Sequence, residues 1–258
     1  MEYRVLAVGD VVGENGLKFL HRHLRTVKKL KEIHLTVVNG ENISGVGLTP
    51  EQAESLFTAG ADLITLGNHT FNRPQIASML EENPYLLRPA NYTGRVPGKG
   101  YAVWDAGPVR VAVMNLIGRC ELDFNADNPF AAADRLLAAA DKPTFTLVDF
   151  HAEATSEKLA MGYYLDGRVS AVWGTHTHVP TADEQVLPGG TGYITDLGMT
   201  GPIRSVLGIR PEQSIETFLG GRPGRYQVAP DPCKMQGAVF TLDTATGLCL
   251  GVERIDIR

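Results

Sequence analysis

The segment that decides the fold is Val37-Val38-Asn39-Gly40-Glu41-Asn42, in which two β-branched residues run into a turn that ends in a carboxylate and an amide. Open α/β sheets place their chemistry in this way, with polar side chains directly after the carboxyl ends of apolar strands. Asn-Gly is also an ordinary turn signal. Whether Glu41 belongs to a turn or to a site therefore depends on how the other strands end.

Length and charge limit the classes of protein to which the chain can belong. It has 258 residues, 43% of them hydrophobic and 21% charged, which suits one large α/β domain, predicted to span residues 1–258. The net charge is −5, and there is no basic tail or stripe. An extended nucleic-acid surface is not expected, because such surfaces are basic. A small phosphate ester held by a metal ion remains possible.

The cellular compartment is predicted from the start of the chain and from its cysteines. Met1-Glu2-Tyr3-Arg4 is charged and leads directly into a predicted strand, which argues against a signal peptide. No apolar run approaches the length of a membrane span. Three widely spaced cysteines, Cys120, Cys233 and Cys249, indicate reduced thiols rather than a disulfide framework. We therefore predict a cytoplasmic protein without a membrane partner.

Strands and helices alternate in the first third of the chain. Strands are predicted at 4–8, 34–38 and 62–66, and helices at 14–31, 50–60 and 74–82. Thr49-Pro50 is a helix-start signal, with a hydroxyl cap followed by proline. This βαβαβα order predicts a mainly parallel sheet. His21 and His23 lie among Lys and Arg and are assigned to a solvated helix face, and His34 is given a structural role.

The middle of the chain predicts a second sheet. An antiparallel pair, 101–105 with 109–116, opens it, and Asn128-Pro129 begins a helix that runs to about 140. A strand at 144–150, a helix at 152–165 and a strand at 169–173 follow. Short antiparallel strands are predicted at 185–187, 192–195, 238–242 and 248–257. Residues 198–234 form a loop-rich insertion that could cover a site or form an interface, and a homo-oligomer is possible.

Polar side chains end five of the predicted strands. These strand ends carry Asp10, Glu41 with Asn42, Asn68 with His69, His151, and His176 with His178. Turn chemistry could produce one or two such ends, but five are hard to explain in that way. Because the fold can bring all five to one edge of a sheet, we predict that they form a single site.

The residue types at these ends suit a pair of metal ions. Two divalent cations need roughly eight oxygen and nitrogen donors and a bridging carboxylate. Carboxylate, amide and imidazole groups are ligands for iron, manganese or zinc, and the choice among the three stays open. No cysteine belongs to the set, which argues against a structural zinc site. A dinuclear centre of this kind activates water as hydroxide and binds a phosphoryl group.

Two motifs give the chain a family resemblance. Gly67-Asn68-His69 and Gly174-Thr175-His176-Thr177-His178 resemble the GNH and GHxH blocks of calcineurin-like metallophosphoesterases, and the resemblance runs in the family's order from Asp10 to His178. Asp10-Val11-Val12 stands where the family usually has Asp-x-His, and Gly40-Glu41-Asn42 where it has Gly-Asp. These departures, with the stretch from Asp149 to Lys158, are similar to the YmdB-like branch.

The resemblance implies a fold, an activity and a set of site residues. The fold is a four-layer α/β/β/α sandwich with mixed sheets, and the activity is that of a 2′,3′-cyclic nucleotide phosphodiesterase. The implied ligands of metal 1 are Asp10, Glu41, Asn42 and His178, and those of metal 2 are Glu41, Asn68, His151 and His176. Glu41 would bridge the ions. His69 would be the general acid that protonates the leaving oxygen.

Other functions stay open at this point. Within the hydrolases, a broad-specificity phosphatase or an RNA or nucleotide phosphodiesterase fits the same site. A regulatory scaffold that senses a metal or nucleotide is an alternative from another class. Among nearby residues, Thr155 or Ser156 is predicted to cap the following helix, together with Glu153 and Lys158, rather than to line a pocket. Arg119 is assigned to the surface, and Asp196 and Arg204 to the region near the mouth of the site.

Overall fold

The computed structural model of the protein describes residues 1–122, 125–222, 224–230 and 232–258. The strands are β1 (Glu2–Val8), β2 (Asp10–Val11), β3 (Leu35–Asn39), β4 (Leu63–Thr65), β5 (Leu86–Leu87), β6 (Tyr101–Asp105), β7 (Arg110–Ile117), β8 (Phe145–His151), β9 (Ala171–Thr175), β10 (Gln185–Val186), β11 (Gly192–Ile194), β12 (Met199–Pro202), β13 (Cys233–Asp243) and β14 (Cys249–Ile257). The helices are α1 (Gly13–Leu30), α2 (Pro50–Ala59), α3 (Ile76–Glu82), α4 (Pro129–Ala139), α5 (Thr155–Leu165) and α6 (Pro211–Phe218). Every strand and helix predicted from the sequence overlaps one of these.

The first sheet is mixed. Its strands lie in the order β2-β12-β13-β1-β3-β4-β5, with β14 also paired to β13. The β1, β3, β4 and β5 strands are parallel, as the βαβαβα pattern predicts, whereas β13 runs antiparallel to β1. The two-residue strands β2 and β5 were not predicted from the sequence.

The second sheet has the order β10-β11-β9-β8-β7-β6. The antiparallel β6–β7 pair is present as predicted, and β7, β8 and β9 are parallel. The antiparallel pairing predicted for 192–195 is present with β10, but the strand also has a parallel neighbour that was not predicted. Strand β11 is antiparallel only to its hairpin partner β10 and pairs parallel to β9, with Gly192 opposite Ala171. Because β10 is the outer arm of that hairpin, β11 returns in the direction of β9.

Alternation of side chains divides the molecule into four layers. Odd-numbered positions of β1, β3 and β8 build a core between the two sheets, including Val5, Ala7, Leu35, Val37, Phe145 and Leu147. Intervening positions pack outward against helices: Leu6 and Val8 share a core with α1, α2 and α3, and Val148 and Phe150 share one with α4 and α5. Successive side chains of a strand point to opposite faces of the sheet, so a strand covered on both faces contributes to two cores. The predicted α/β/β/α sandwich is confirmed.

Helix starts show where local prediction succeeds and where it fails. Thr49 caps α2 in a reciprocal box, since its Oγ1 accepts from the backbone N–H of Gln52 and the Gln52 Oε1 accepts from the N–H of Thr49. The predicted cap on α5 is wrong. Thr155 is the first helical residue, and the N-cap is Ala154, whose methyl group cannot accept a hydrogen bond.

The insertion predicted at 198–234 contains β12 and α6, and its positions 223 and 231 lie outside the described residues. Across the part of the chain that is described, no helix combines the length and apolarity needed to cross a membrane.

Replacing Thr49 with alanine tests the capping box. The free energy of unfolding should fall by about 1 kcal/mol, because one N-terminal N–H of α2 loses its acceptor. Urea titration followed by circular dichroism measures the change. Thr58→Ala, at an exposed position of the same helix, is the matched control. Equal effects of the two substitutions would show that the box does not stabilise the helix.

Candidate metal centre

His151 ends β8 and is fully buried, and its ring orientation is fixed from behind. The Thr175 hydroxyl donates to Asp149 Oδ1 at 2.8 Å. Its oxygen therefore accepts from His151 Nδ1–H, 2.9 Å away. Asp149 is itself buried and also accepts from the Thr65 hydroxyl. With Nδ1 engaged, His151 presents Nε2 to the interior of the site, because a hydrogen bond at one ring nitrogen orients the other toward a metal.

Three further donor atoms converge on His151 Nε2. Asn68 Oδ1 lies 3.0 Å away, His176 Nδ1 3.1 Å and Glu41 Oε1 3.2 Å. One proton on Nε2 can satisfy only one of these neighbours. Buried lone pairs facing one another without hydrogens between them are costly. Imidazole, carboxylate and amide donors packed this closely fit a single cation such as zinc, iron or manganese.

His176 is supported by a carboxylate that the sequence did not identify. Its Nε2 lies 3.1 Å from Glu153 Oε2, which places the proton of the neutral ring on Nε2 and leaves the Nδ1 lone pair facing His151. The assignment of Glu153 to the start of α5 is therefore wrong, since its side chain turns toward the site. A carboxylate behind a ligating imidazole fixes its tautomer.

A second, looser group of donors surrounds Asp10. The Asp10 side chain is completely buried, and its Oδ2 accepts the backbone N–H of His176 at 3.1 Å. Among the described residues, its Oδ1 has no hydrogen-bond partner. His178 donates from Nδ1 to the carbonyl of Leu207 at 2.9 Å, so its Nε2 lone pair faces Asp10 Oδ1, 3.7 Å away. A buried carboxylate oxygen without a hydrogen-bond partner among the described residues, beside an imidazole lone pair, also fits a cation.

Asn42 lies in this second group with its amide nitrogen inward. Nδ2 donates to Glu41 Oε1 at 3.2 Å and lies 3.1 Å from His178 Nε2. Oδ1 is instead 2.9 Å from His69 Nδ1. Metal ligation by Asn42, which the resemblance implies, would use the amide oxygen and therefore requires the amide to turn over. That rotation would also replace the acceptor beside His69 with a donor.

Glu41 lies between the two groups. Its Oε1 contacts both His151 and Asn42, and its Oε2 accepts the backbone N–H of His69 at 3.1 Å. A Cβ atom on Gly67 would collide with the His151 ring and the Glu41 carboxylate. The backbone of the Gly67-Asn68-His69 motif can therefore approach the site only as glycine. This position suits the bridging role that the resemblance implies for Glu41.

The buried charges of the cluster balance one another. Burial disfavours the charged form of the Glu41 carboxyl group. Attraction to His151 outweighs this effect of burial and holds the pKa of Glu41 well below its usual value. Burial also opposes a charge on His151, yet Glu41 raises its pKa to about 9. Burial and the His151 charge lower the pKa of His176 to about 3. Burial raises the pKa of Asp10. A bound cation would replace the proton on His151, because metal ligands are deprotonated.

A buried ion pair holds the loop that carries both β9 histidines. His176 and His178 have φ values of 101° and 62°, in the left-handed region that non-glycine residues rarely adopt. Thr177 lies between them and donates to Asp196 Oδ2 from its backbone N–H at 3.2 Å and from its hydroxyl at 2.8 Å. Lys158 donates to the same oxygen at 2.6 Å, and both members of the pair are buried. Surrounding structure of this kind is needed to maintain strained backbone.

The structure brings together all eight residues singled out from the sequence. His69 lines the wall of a cavity of about 890 Å³, with Glu41, Asn42, His176 and His178 around it. Sequence reasoning gave Thr175 no separate role and assigned Glu153 and Lys158 to a helix cap, whereas Thr175 and Glu153 contact the histidines and Lys158 pairs with Asp196 beneath their loop. Asp196 lies deeper than predicted, beneath the loop, whereas Arg204 and Arg119 are exposed.

Replacing Asp196 with asparagine tests whether the Lys158–Asp196 ion pair stabilises the loop that carries His176 and His178. The substitution leaves the Lys158 charge buried without its partner, so the free energy of unfolding should fall by about 3–5 kcal/mol. The double variant Lys158→Met/Asp196→Asn removes the charge and should recover much of this loss. Urea unfolding curves of the three proteins measure both effects. If the free energy of unfolding of Asp196→Asn lay within about 1 kcal/mol of the wild-type value, the ion pair would not have this stabilising role.

Comparison with known proteins identifies close relatives of the chain. A 2′,3′-cyclic-nucleotide 2′-phosphodiesterase of Bacillus subtilis (strain 168) is 46% identical over 257 residues, which cover 99% of this chain and 97% of that protein. A Mycoplasma pneumoniae structure described as a novel phosphatase has a TM-score of 0.94 and 34% identity, over 100% of this chain and 94% of that one. A hypothetical protein from Thermus thermophilus has a TM-score of 0.92 and 39% identity, over 98% of each chain.

The match to a family is equally extensive. The model of the YmdB-like protein family covers residues 6–255. The resemblance stated from the sequence is confirmed, and the predicted class of phosphoric ester hydrolase agrees with the names of the relatives. Fold, motifs and full-length similarity lead to one conclusion: the chain belongs to the YmdB-like protein family.

Proposed function

We propose that this chain is a metal-dependent phosphodiesterase that opens 2′,3′-cyclic nucleotides. The observation that carries the proposal is the convergence of Asn68, His176 and Glu41 on His151 Nε2, within 3.0–3.2 Å, beside a cavity that His69 also lines. The substrate is inferred from the phosphodiesterase that shares 46% identity over nearly the whole chain.

The residues proposed to hold the metal ions are those of the two donor groups. Asp10, Asn42, His178 and Glu41 would hold one ion, and Glu41, Asn68, His151 and His176 the other. Bound cations of this kind lower the pKa of water and neutralise phosphoryl oxygens. Iron, manganese and zinc all suit these donors. Two observations support the assignment. Asp10 Oδ1 has no hydrogen-bond partner among the described residues, and three potential ligand atoms lie within 3.0–3.2 Å of His151 Nε2.

His69 is proposed as the general acid. Its Nδ1 faces the Asn42 amide, 2.9 Å away, and Glu41 Oε1, 3.4 Å away, so Nε2 is the nitrogen available to a substrate in the cavity. In the proposed reaction, the oxygen of water bonds to phosphorus and the bond from phosphorus to one ribose oxygen breaks. His69 gives that oxygen its proton, water releases a proton to solvent, from which His69 is reprotonated, and the product is a nucleoside monophosphate. An imidazole suits this transfer near neutral pH.

Metal content distinguishes the bridging carboxylate from a residue that serves one ion. Protein purified without added metal is expected to contain two equivalents. Glu41→Gln should reduce occupancy of both sites, because it removes the shared charge, whereas Asn42→Ala should reduce mainly one. Elemental analysis provides the measurement, and Glu54→Gln, at an exposed position of α2, is the control. Wild-type protein with almost no metal and no activation by added Mn²⁺ would exclude a dinuclear centre.

Loss of the His69 side chain tests the acid. His69→Ala should retain its metals but lose about 10²- to 10⁴-fold in kcat on 2′,3′-cyclic nucleotides, the usual effect of removing a general acid. His21→Ala, on the exposed face of α1, should leave kcat unchanged. Full activity of His69→Ala would remove the residue from this role. Much faster turnover of p-nitrophenyl phosphate than of any cyclic nucleotide would instead favour a phosphatase.

A further inference from the structure

The cavity beside the metal centre has a second wall that the proposed chemistry does not use. This wall comes from the insertion and includes Leu207, Ile209, Tyr226 and Val228. At about 890 Å³ the cavity lies in the upper part of the ~300–1,000 Å³ range of small-molecule sites. A phosphate group would fill only a small part of it. The remaining space is therefore available to the organic part of the substrate.

The insertion wall is tied directly to a proposed metal ligand. The carbonyl of Leu207 accepts from His178 Nδ1 at 2.9 Å. Leu207 belongs to the segment 206–210, which pairs with the segment 227–229 as a short ladder. Ala229 N–H donates to the carbonyl of Gly208 at 2.8 Å, and Arg210 N–H donates to that of Gln227 at 3.0 Å. The wall thus has a fixed position relative to the site where phosphorus would be held.

Tyr226 projects from this ladder, and α6 holds it in place. The Gln213 side chain of α6 binds the backbone on both sides of Tyr226, donating to the carbonyl of Arg225 at 2.9 Å and accepting from Gln227 N–H at 2.7 Å. The Tyr226 hydroxyl lies 3.0 Å from the hydroxyl of Thr217 on the same helix. Even so, 48% of the residue is exposed. The ring is fixed at its polar end while the rest of it remains accessible.

We propose that Tyr226 is the stacking platform for the nucleobase of the substrate. The inference rests on the proposed function, because it concerns the organic part of the same cyclic nucleotide. An aromatic ring accepts the π-face of any base, so such a platform gives affinity without strict base selection. A ring already fixed by Gln213 and Thr217 loses little conformational entropy on binding. The apolar side chains of Leu207, Ile209 and Val228 complete a surface suited to a flat, weakly polar group.

Two substrates separate base binding from catalysis. One is a 2′,3′-cyclic nucleotide, and the other is methyl riboside 2′,3′-cyclic phosphate, the same cyclic ester without a base. Tyr226→Leu should raise KM for the nucleotide about tenfold, within the cost of removing one base–aromatic stack, with kcat retained. KM for the base-free ester should not change. Tyr226→Phe keeps the stacking face and loses only the contact with Thr217, so KM for the nucleotide should rise less than in Tyr226→Leu, and KM for the base-free ester should not change.

Two further variants complete the test. Gln213→Ala frees the backbone around Tyr226 and should raise KM for the nucleotide alone. Tyr163→Leu removes a tyrosine of similar exposure, 61%, on α5 and away from the cavity, and should change neither substrate. An unchanged nucleotide KM in Tyr226→Leu, or an equal rise for both substrates, would overturn the stacking role while leaving the phosphodiesterase proposal intact. Failure of wild-type protein to hydrolyse either ester would overturn the proposed function itself, and the stacking role with it.

Discussion

The interaction on which the rest of the site depends is the hydrogen bond from His151 Nδ1 to Thr175. The Thr175 hydroxyl is committed to Asp149, so its oxygen can only accept, and the imidazole must present Nε2 to Glu41, Asn68 and His176. Asp149 is buried and also receives a hydrogen bond from Thr65 of the first sheet. Burial raises the pKa of Asp149 to about 6. The orientation of one buried ring is thus set by a chain of hydrogen bonds that passes from one sheet to the other.

Sequence patterns predicted the elements and the members of the site because both follow from local rules. Apolar runs of strand length mark β1, β3, β4, β8 and β9, and the polar residues after them fall at one edge because parallel strands share a direction. The helix start at Thr49 could be predicted because a capping box spans only four residues. The prediction that Asp10, Glu41 and His151 lie together needed no more information than this.

The residues that sequence reasoning missed are those whose roles depend on distant partners. Lys158 meets Asp196 across 38 positions, and neither residue carries a local sign of that pairing. Glu153 has the sequence context of a helix start, yet it contacts His176 because the loop after β9 places that ring beside the start of α5. The direction of β11 follows from its hairpin with β10, which strand propensity cannot reveal. Long-range geometry, rather than residue type, decides each of these cases.

The bond between Thr65 and Asp149 has a consequence for how the protein becomes active. The residues of the candidate metal centre extend along the chain from Asp10 to His178 and come from both sheets, so neither sheet alone contains the complete set. Contacts of such high sequence separation form only after much chain entropy has been lost. Assembly of the site should therefore accompany docking of the two sheets. A chain that ended before β9 would lack His176 and His178 and could not assemble the complete site.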